Sequence, residues 1–118
     1  MLRAAMAGIM QSFADARYQY KNTVSKLTPT TGQTVSFANS DVDQVMYLAP
    51  AGTLASLTVQ LPSDASSRTG QRVTICSSQI VTSLTLSGAA TVMNTITSLV
   101  SSDCFTFVKI DTNTWAKN

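Results

Sequence analysis

The chain has 118 residues, eight Lys and Arg against six acids, a formal net charge of +2, and no His. That length suits one domain, and without His the chain cannot by itself supply a Ser-His-Asp or Cys-His catalytic unit or a His-ligated zinc site. Charged residues are 12% of the chain, about half the usual share, with 15 Ser and 17 Thr in their place and a 44% hydrophobic fraction sufficient for a folded core.

Residues 2–27 are Ala-rich, lack Pro and hold few β-branched residues, which predicts a helix. Leu2, Met6, Ile9, Phe13, Ala16, Tyr20, Thr23 and Leu27 recur at alternating steps of four and three, a heptad spacing. Such a stripe either packs on the chain's own β-region or self-associates. The reading adopted is an oligomerisation or anchor helix over residues 1–28, with Leu2, Met6, Ile9, Phe13, Tyr20 and Leu27 at the partner interface. Its flanks carry Arg3, Arg17, Lys21 and Lys26 against the single acid Asp15. Spaced charges of this density make only a weak, salt-sensitive contact with polyanions. Neither nucleic acid nor a membrane is expected as a partner. The apolar run Ala4–Met10 is interrupted by Gln11 and Ser12, so it is not read as a signal peptide, and no apolar run is long enough to span a bilayer.

Composition changes at Leu27-Thr28-Pro29-Thr30-Thr31-Gly32, where Pro29 disfavours helix in the residue before it. Residues 29–118 then read as short strands. Gln33–Phe37 alternates, Val45–Leu48 stops before Pro50 and Gly52, and Ser56–Leu61 alternates until Pro62. Gln71–Cys76 alternates again, Val81–Ser87 ends at a turn on Gly88, and Thr91–Met93 and Ser98–Val100 are short candidates. Asp103–Ile110 is the strongest late strand, and Trp115 opens a last one after Asp111-Thr112-Asn113-Thr114. Roughly eight short strands at regular spacing predict a mainly β fold: one β-sandwich or jelly-roll-like domain over 29–118, preceded by the N-terminal α-helix. Leu57-Thr58-Val59, Val73-Thr74-Ile75 and Leu84-Thr85-Leu86 share an apolar-Thr-apolar core. This is read as strand alternation, and no solenoid repeat is inferred from it.

Chemistry-bearing motifs are sparse. Cys76 and Cys104 match no metal or redox spacing and read as two strand residues, with a disulfide between neighbouring strands as the alternative. Gly52, Gly70 and Gly88 are isolated and form no phosphate-binding loop. Asp41 and Asp43 could offer oxygens to Ca²⁺ but lack further acids, so a solvated turn is the reading. Asp64 with Asp103 is the one carboxylate pair to weigh for glycoside chemistry, and nothing selects it. Tyr47 and Trp115 could stack on a sugar, but core or subunit contacts suit them better. No catalytic residue, cofactor or metal is expected.

The order of the late strands carries a resemblance. Leu57-Thr58-Val59-Gln60-Leu61-Pro62 leads to Gly70-Gln71-Arg72-Val73-Thr74-Ile75, then to Ser83-Leu84-Thr85-Leu86-Ser87, Phe105-Thr106-Phe107 and Asp111-Thr112-Asn113-Thr114-Trp115. Over residues 55–117 this resembles the small β-domains of tailed-bacteriophage virion proteins found in head fibres, capsid decoration proteins and tail fibres. The chain departs from that pattern at Ala116, where a Tyr would follow Trp115. The resemblance implies a non-enzymatic, often trimeric structural subunit of the virion, docking on the major capsid protein or other virion subunits as a decoration or cement protein. The alternative it implies is a short tail fibre or tail-tip subunit that binds a host receptor through loops such as Ala38–Gln44 or Ser63–Gly70.

Overall fold

The computed structural model describes residues 23–118, which form nine strands: β1 (Thr23–Leu27), β2 (Thr34–Ser36), β3 (Gln44–Leu48), β4 (Leu57–Gln60), β5 (Arg72–Ser77), β6 (Leu84–Ser87), β7 (Thr91–Met93), β8 (Asp103–Asp111) and β9 (Thr114–Lys117). β2 to β9 sit close to predicted strands, whereas β1 falls within the expected helix and Ser98–Val100 holds only the bridge of Leu99 to Val81. The arrangement of the strands differs from the sandwich expected. β1, β3 and β5 stack in parallel, and so do β2, β4 and β6. A third, minimal side is the bridge between Leu54 and Val81. The chain therefore winds as a short parallel β-solenoid, each turn lying on the previous one. A sandwich or jelly roll is built from antiparallel pairs. Here, from β1 to β6, consecutive strands lie in different sheets, and pairing joins strands two apart in sequence.

The expected helix also needs correction at its end. Residues 23–27 are β1, paired in parallel with β3 from Thr23 opposite Gln44 to Leu27 opposite Leu48. The β-unit therefore starts before residue 29. The rest of the expected helix lies outside the described residues.

Coil length varies between successive turns. Thr34 stacks on Thr58, 24 residues on, whereas Leu57 stacks on Leu84 and Leu54 on Val81, 27 residues on. Inward positions form apolar columns. Val35, Val59 and Leu86 stack on one side, and Met46, Ile75 and Phe105 on another. Leu54, Val81 and Leu99 fill the third. Outward positions on the three-stranded sheet are hydroxyl or amide: Thr34, Thr58 and Thr85 in one row, Ser36, Gln60 and Ser87 in the next. Branched Thr stems suit the pleat and their hydroxyls suit water. At the corner after β6, Gly88 has φ +88, and a Cβ there would lie 2.8 Å from the Leu61 carbonyl oxygen of the turn beneath. Close stacking of coils selects glycine at that corner.

The parallel stack ends by reversal. β8 runs antiparallel to β5, β9 antiparallel to β8, and β7 lies parallel beyond β9, giving the sheet order β1-β3-β5-β8-β9-β7. Phe107 and Trp115, both essentially buried, close the core at this end. Cys76 on β5 pairs with Cys104 on β8, and the two sulfurs are bonded. One covalent link thus fastens the cap to the last coil.

Candidate functional site

Two loops weighed in the sequence meet at one corner. Residues 38–43 come from the first coil and residues 62–71 from the second. Gln44 clamps the start of the first loop, accepting from the Ala38 amide and donating to the Ala38 carbonyl, both at 2.9 Å. Gln71, fully buried, donates to the carbonyls of Ser40 and Val42 at 2.9 and 2.8 Å. Asn39 accepts from the Ser63 amide at 2.9 Å. Buried backbone groups at a solenoid corner have no ladder partner, so glutamine and asparagine side chains take that place.

Lys109 is the centre of this corner. It occupies an inward position on β8, in line with Phe105 and Phe107, and its side chain is 5% exposed. Its Nζ lies 2.8 Å from Asp64 Oδ1, 3.1 Å from the Asp64 carbonyl and 2.8 Å from Ser67 Oγ. Three acceptors match the three donors of an ammonium. Asp64 Oδ1 also accepts from the Asn113 amide at 2.8 Å. The second-coil loop is thereby tied to the cap. The Lys109 hydrogen bond, followed by that from the Asn113 amide, holds the Asp64 carboxyl below the ordinary aspartate value.

This geometry bears on chemistry. Ser67 Oγ sits beside a lysine, as in a Ser-Lys nucleophile pair, but a general base needs the neutral amine. Here the Lys109 amine is ion-paired with the Asp64 carboxylate and bonded to the Asp64 carbonyl, and Ser67 Oγ donates to the Ser63 carbonyl at 2.8 Å. The arrangement is an ammonium clamp. Replacing Lys109 by Met is expected to cost about 2 kcal/mol, because the loop carbonyls lose a charged donor. Urea unfolding checks this, and an unchanged midpoint would show that the loop is not held by the clamp. Because Asp64 titrates lower folded than unfolded, its contribution is complete above the ordinary aspartate value and fades as pH falls through the folded one. Asp64→Asn should therefore flatten the acid limb of a stability-pH profile below about pH 4.

The other candidate residues are scattered. Asp43 Oδ1 is turned to the Arg72 amide at 3.0 Å and to Arg68 at 3.5 Å. Asp103 accepts from the Val100 amide at 2.8 Å. It stands at the start of β8 while Asp64 packs on Lys109 near the other end, about 20 Å away by strand rise. Those two carboxylates do not share a site. No group of three or more metal-ligating side chains occurs among the described residues. Trp115 is 1% exposed and belongs to the core, whereas Tyr47 is 36% exposed on the outer face of the six-stranded sheet. Of the expected interface residues, Leu27 sits on β1 opposite Leu48 and packs against the protein's own core. Leu2, Met6, Ile9, Phe13 and Tyr20 lie outside the described residues. Sequence reading missed Lys109, although a lysine on the apolar parity of a Phe-x-Phe strand was a visible signal.

Comparison with protein-family models, curated proteins and solved structures finds no match to this chain.

Proposed function

We propose that this chain is a non-enzymatic structural subunit of a tailed-bacteriophage virion, acting as a homotrimeric capsid decoration or cement protein of the head-fibre type. The observation that carries the reading is the short stack of coils, closed at one end by a disulfide-fastened cap. The outer positions of its three-stranded sheet are all hydroxyl or amide side chains. Such a body offers rigid faces for docking. A decoration subunit acts by burying area against neighbouring shell proteins, which stabilises the assembled state by mass action. The strand order over residues 55–117 supports the virion reading by resemblance. A disulfide also persists best outside a reducing cytosol, which suits a protein released within a particle.

One observation favours a second reading as a tail fibre or tail-tip subunit. Residues 38–43 and 62–71 form one braced corner, and binding residues are commonly carried on loops held by a rigid scaffold. Copy number separates the two. Quantitative mass spectrometry of purified particles should give a ratio near a simple fraction of the most abundant shell protein for a decoration subunit. A ratio far below that indicates the tail, and absence from particles removes the virion reading.

A further inference from the structure

The two sheets differ on their outer sides. Every outward position of the three-stranded sheet is Thr, Ser or Gln. The six-stranded sheet presents instead Val24, Val45, Tyr47, Val108, Ala116 and Met93, together with threonines and the disulfide. Its outward charges at paired strand positions are Lys26 on β1, Arg72 on β5 and Asp111 on β8, opposite Thr114. None of these outward side chains is buried, and Val24 and Met93 are 66% and 53% exposed. A parallel sheet is ordinarily covered on both faces. Among the described residues nothing covers this face, and its six apolar side chains outnumber its three charges.

We infer that the outer face of the six-stranded sheet is the surface through which copies of this chain associate. The inference rests on reading the protein as a self-associating structural subunit. Three features favour a second copy as the occupant. First, six strands at about 4.8 Å spacing, each about five residues long, span about 24 by 17 Å. Two such corrugated faces together bury on the order of 1,000 Å², the lower end of specific interfaces, so no larger partner is needed. Second, the two most exposed apolar residues of the face lie on its outermost strands, Val24 on β1 and Met93 on β7. A cyclic oligomer lays one side of the patch of one copy on the opposite side of the next. That contact covers both residues at once. Third, the same contact sets Lys26 of one copy against the uncharged β7 side of its neighbour, and Lys26 never faces its own twin. Flat sheet faces of this kind pack about 10 Å apart with their side chains interdigitated.

The test uses the full chain in sedimentation equilibrium, with the double variant V24D/M93D and, as control, T58D on the three-stranded sheet. Both substituted face residues are exposed, so the fold should persist, read as an unchanged far-ultraviolet spectrum and thermal midpoint. The expected result is a wild-type oligomer with micromolar dissociation, a V24D/M93D dissociation constant raised at least about a hundredfold, and a control like wild type. An oligomer unaffected by V24D/M93D overturns the assigned face and leaves the structural-subunit reading standing. A control that dissociates while V24D/M93D does not moves the interface to the three-stranded sheet. A wild-type chain monomeric well above micromolar concentration overturns the face and self-association together.

Discussion

Trp115→Ala is expected to lower the free energy of unfolding by about 3–5 kcal/mol, the range for removing a large buried aromatic. Trp115 is 1% exposed and lies on β9 between Lys109 on β8 and Val92 on β7. Its indole closes the core where the parallel coils stop. Truncation opens a void that β7 cannot fill, because that strand is three residues long and lies at the sheet edge. For a domain whose whole stability is about 5–15 kcal/mol the loss is large. Chemical unfolding followed by far-ultraviolet circular dichroism measures it. A loss below about 1 kcal/mol would show that the cap contributes little to the core. In the wild type, this single Trp also reports on the cap alone. Coincident fluorescence and circular dichroism transitions would show that cap and coils unfold as one unit.

Breaking the Cys76–Cys104 bond has the second large effect. The bond spans 28 residues of sequence, for which chain-entropy reasoning gives about 3–4 kcal/mol. Both sulfurs sit on the outer side of the sheet, Cys104 exposed and Cys76 half-buried, so C76S/C104S leaves little cavity. The double variant therefore measures the tether more than the packing. The wild type with reductant and the variant should share one lowered unfolding midpoint. If reduction leaves the midpoint unchanged, the six register pairs between β5 and β8 and the Thr74–Thr106 hydroxyl contact at 3.0 Å hold the cap unaided.

The sequence alone located β2 to β6, β8 and β9 through alternation and short apolar runs, but not β1. Leu57-Thr58-Val59 and Leu84-Thr85-Leu86 showed which side chains turn inward, because a strand's period of two does not depend on its partner. That same independence hid the architecture. A strand alternates identically in a sandwich and in a solenoid, so nothing local reveals that Leu57 stacks on Leu84 in parallel. The shared apolar-Thr-apolar triplet was in fact the mark of successive coils. Unequal coil lengths, 24 residues between one pair of strands and 27 between the next, kept it from standing out as a period.

Two other features became readable only in three dimensions. Thr23–Leu27 fits the end of a heptad stripe, yet its parallel ladder with β3 supplies backbone hydrogen bonds that override a weak local preference for helix. The loops at 38–43 and 62–71 are each ordinary polar turns. Their union depends on Gln44, Gln71 and Lys109 reaching backbone carbonyls far away in sequence. Composition and alternation thus determined that this chain is β-rich, thinly charged and hydroxyl-covered, since those follow from each residue's own chemistry. Strand direction, the Cys76–Cys104 bond, the Lys109 clamp and the apolar outer face of the six-stranded sheet were decided by the tertiary structure, because each is a relation between residues that only the winding of the chain brings together.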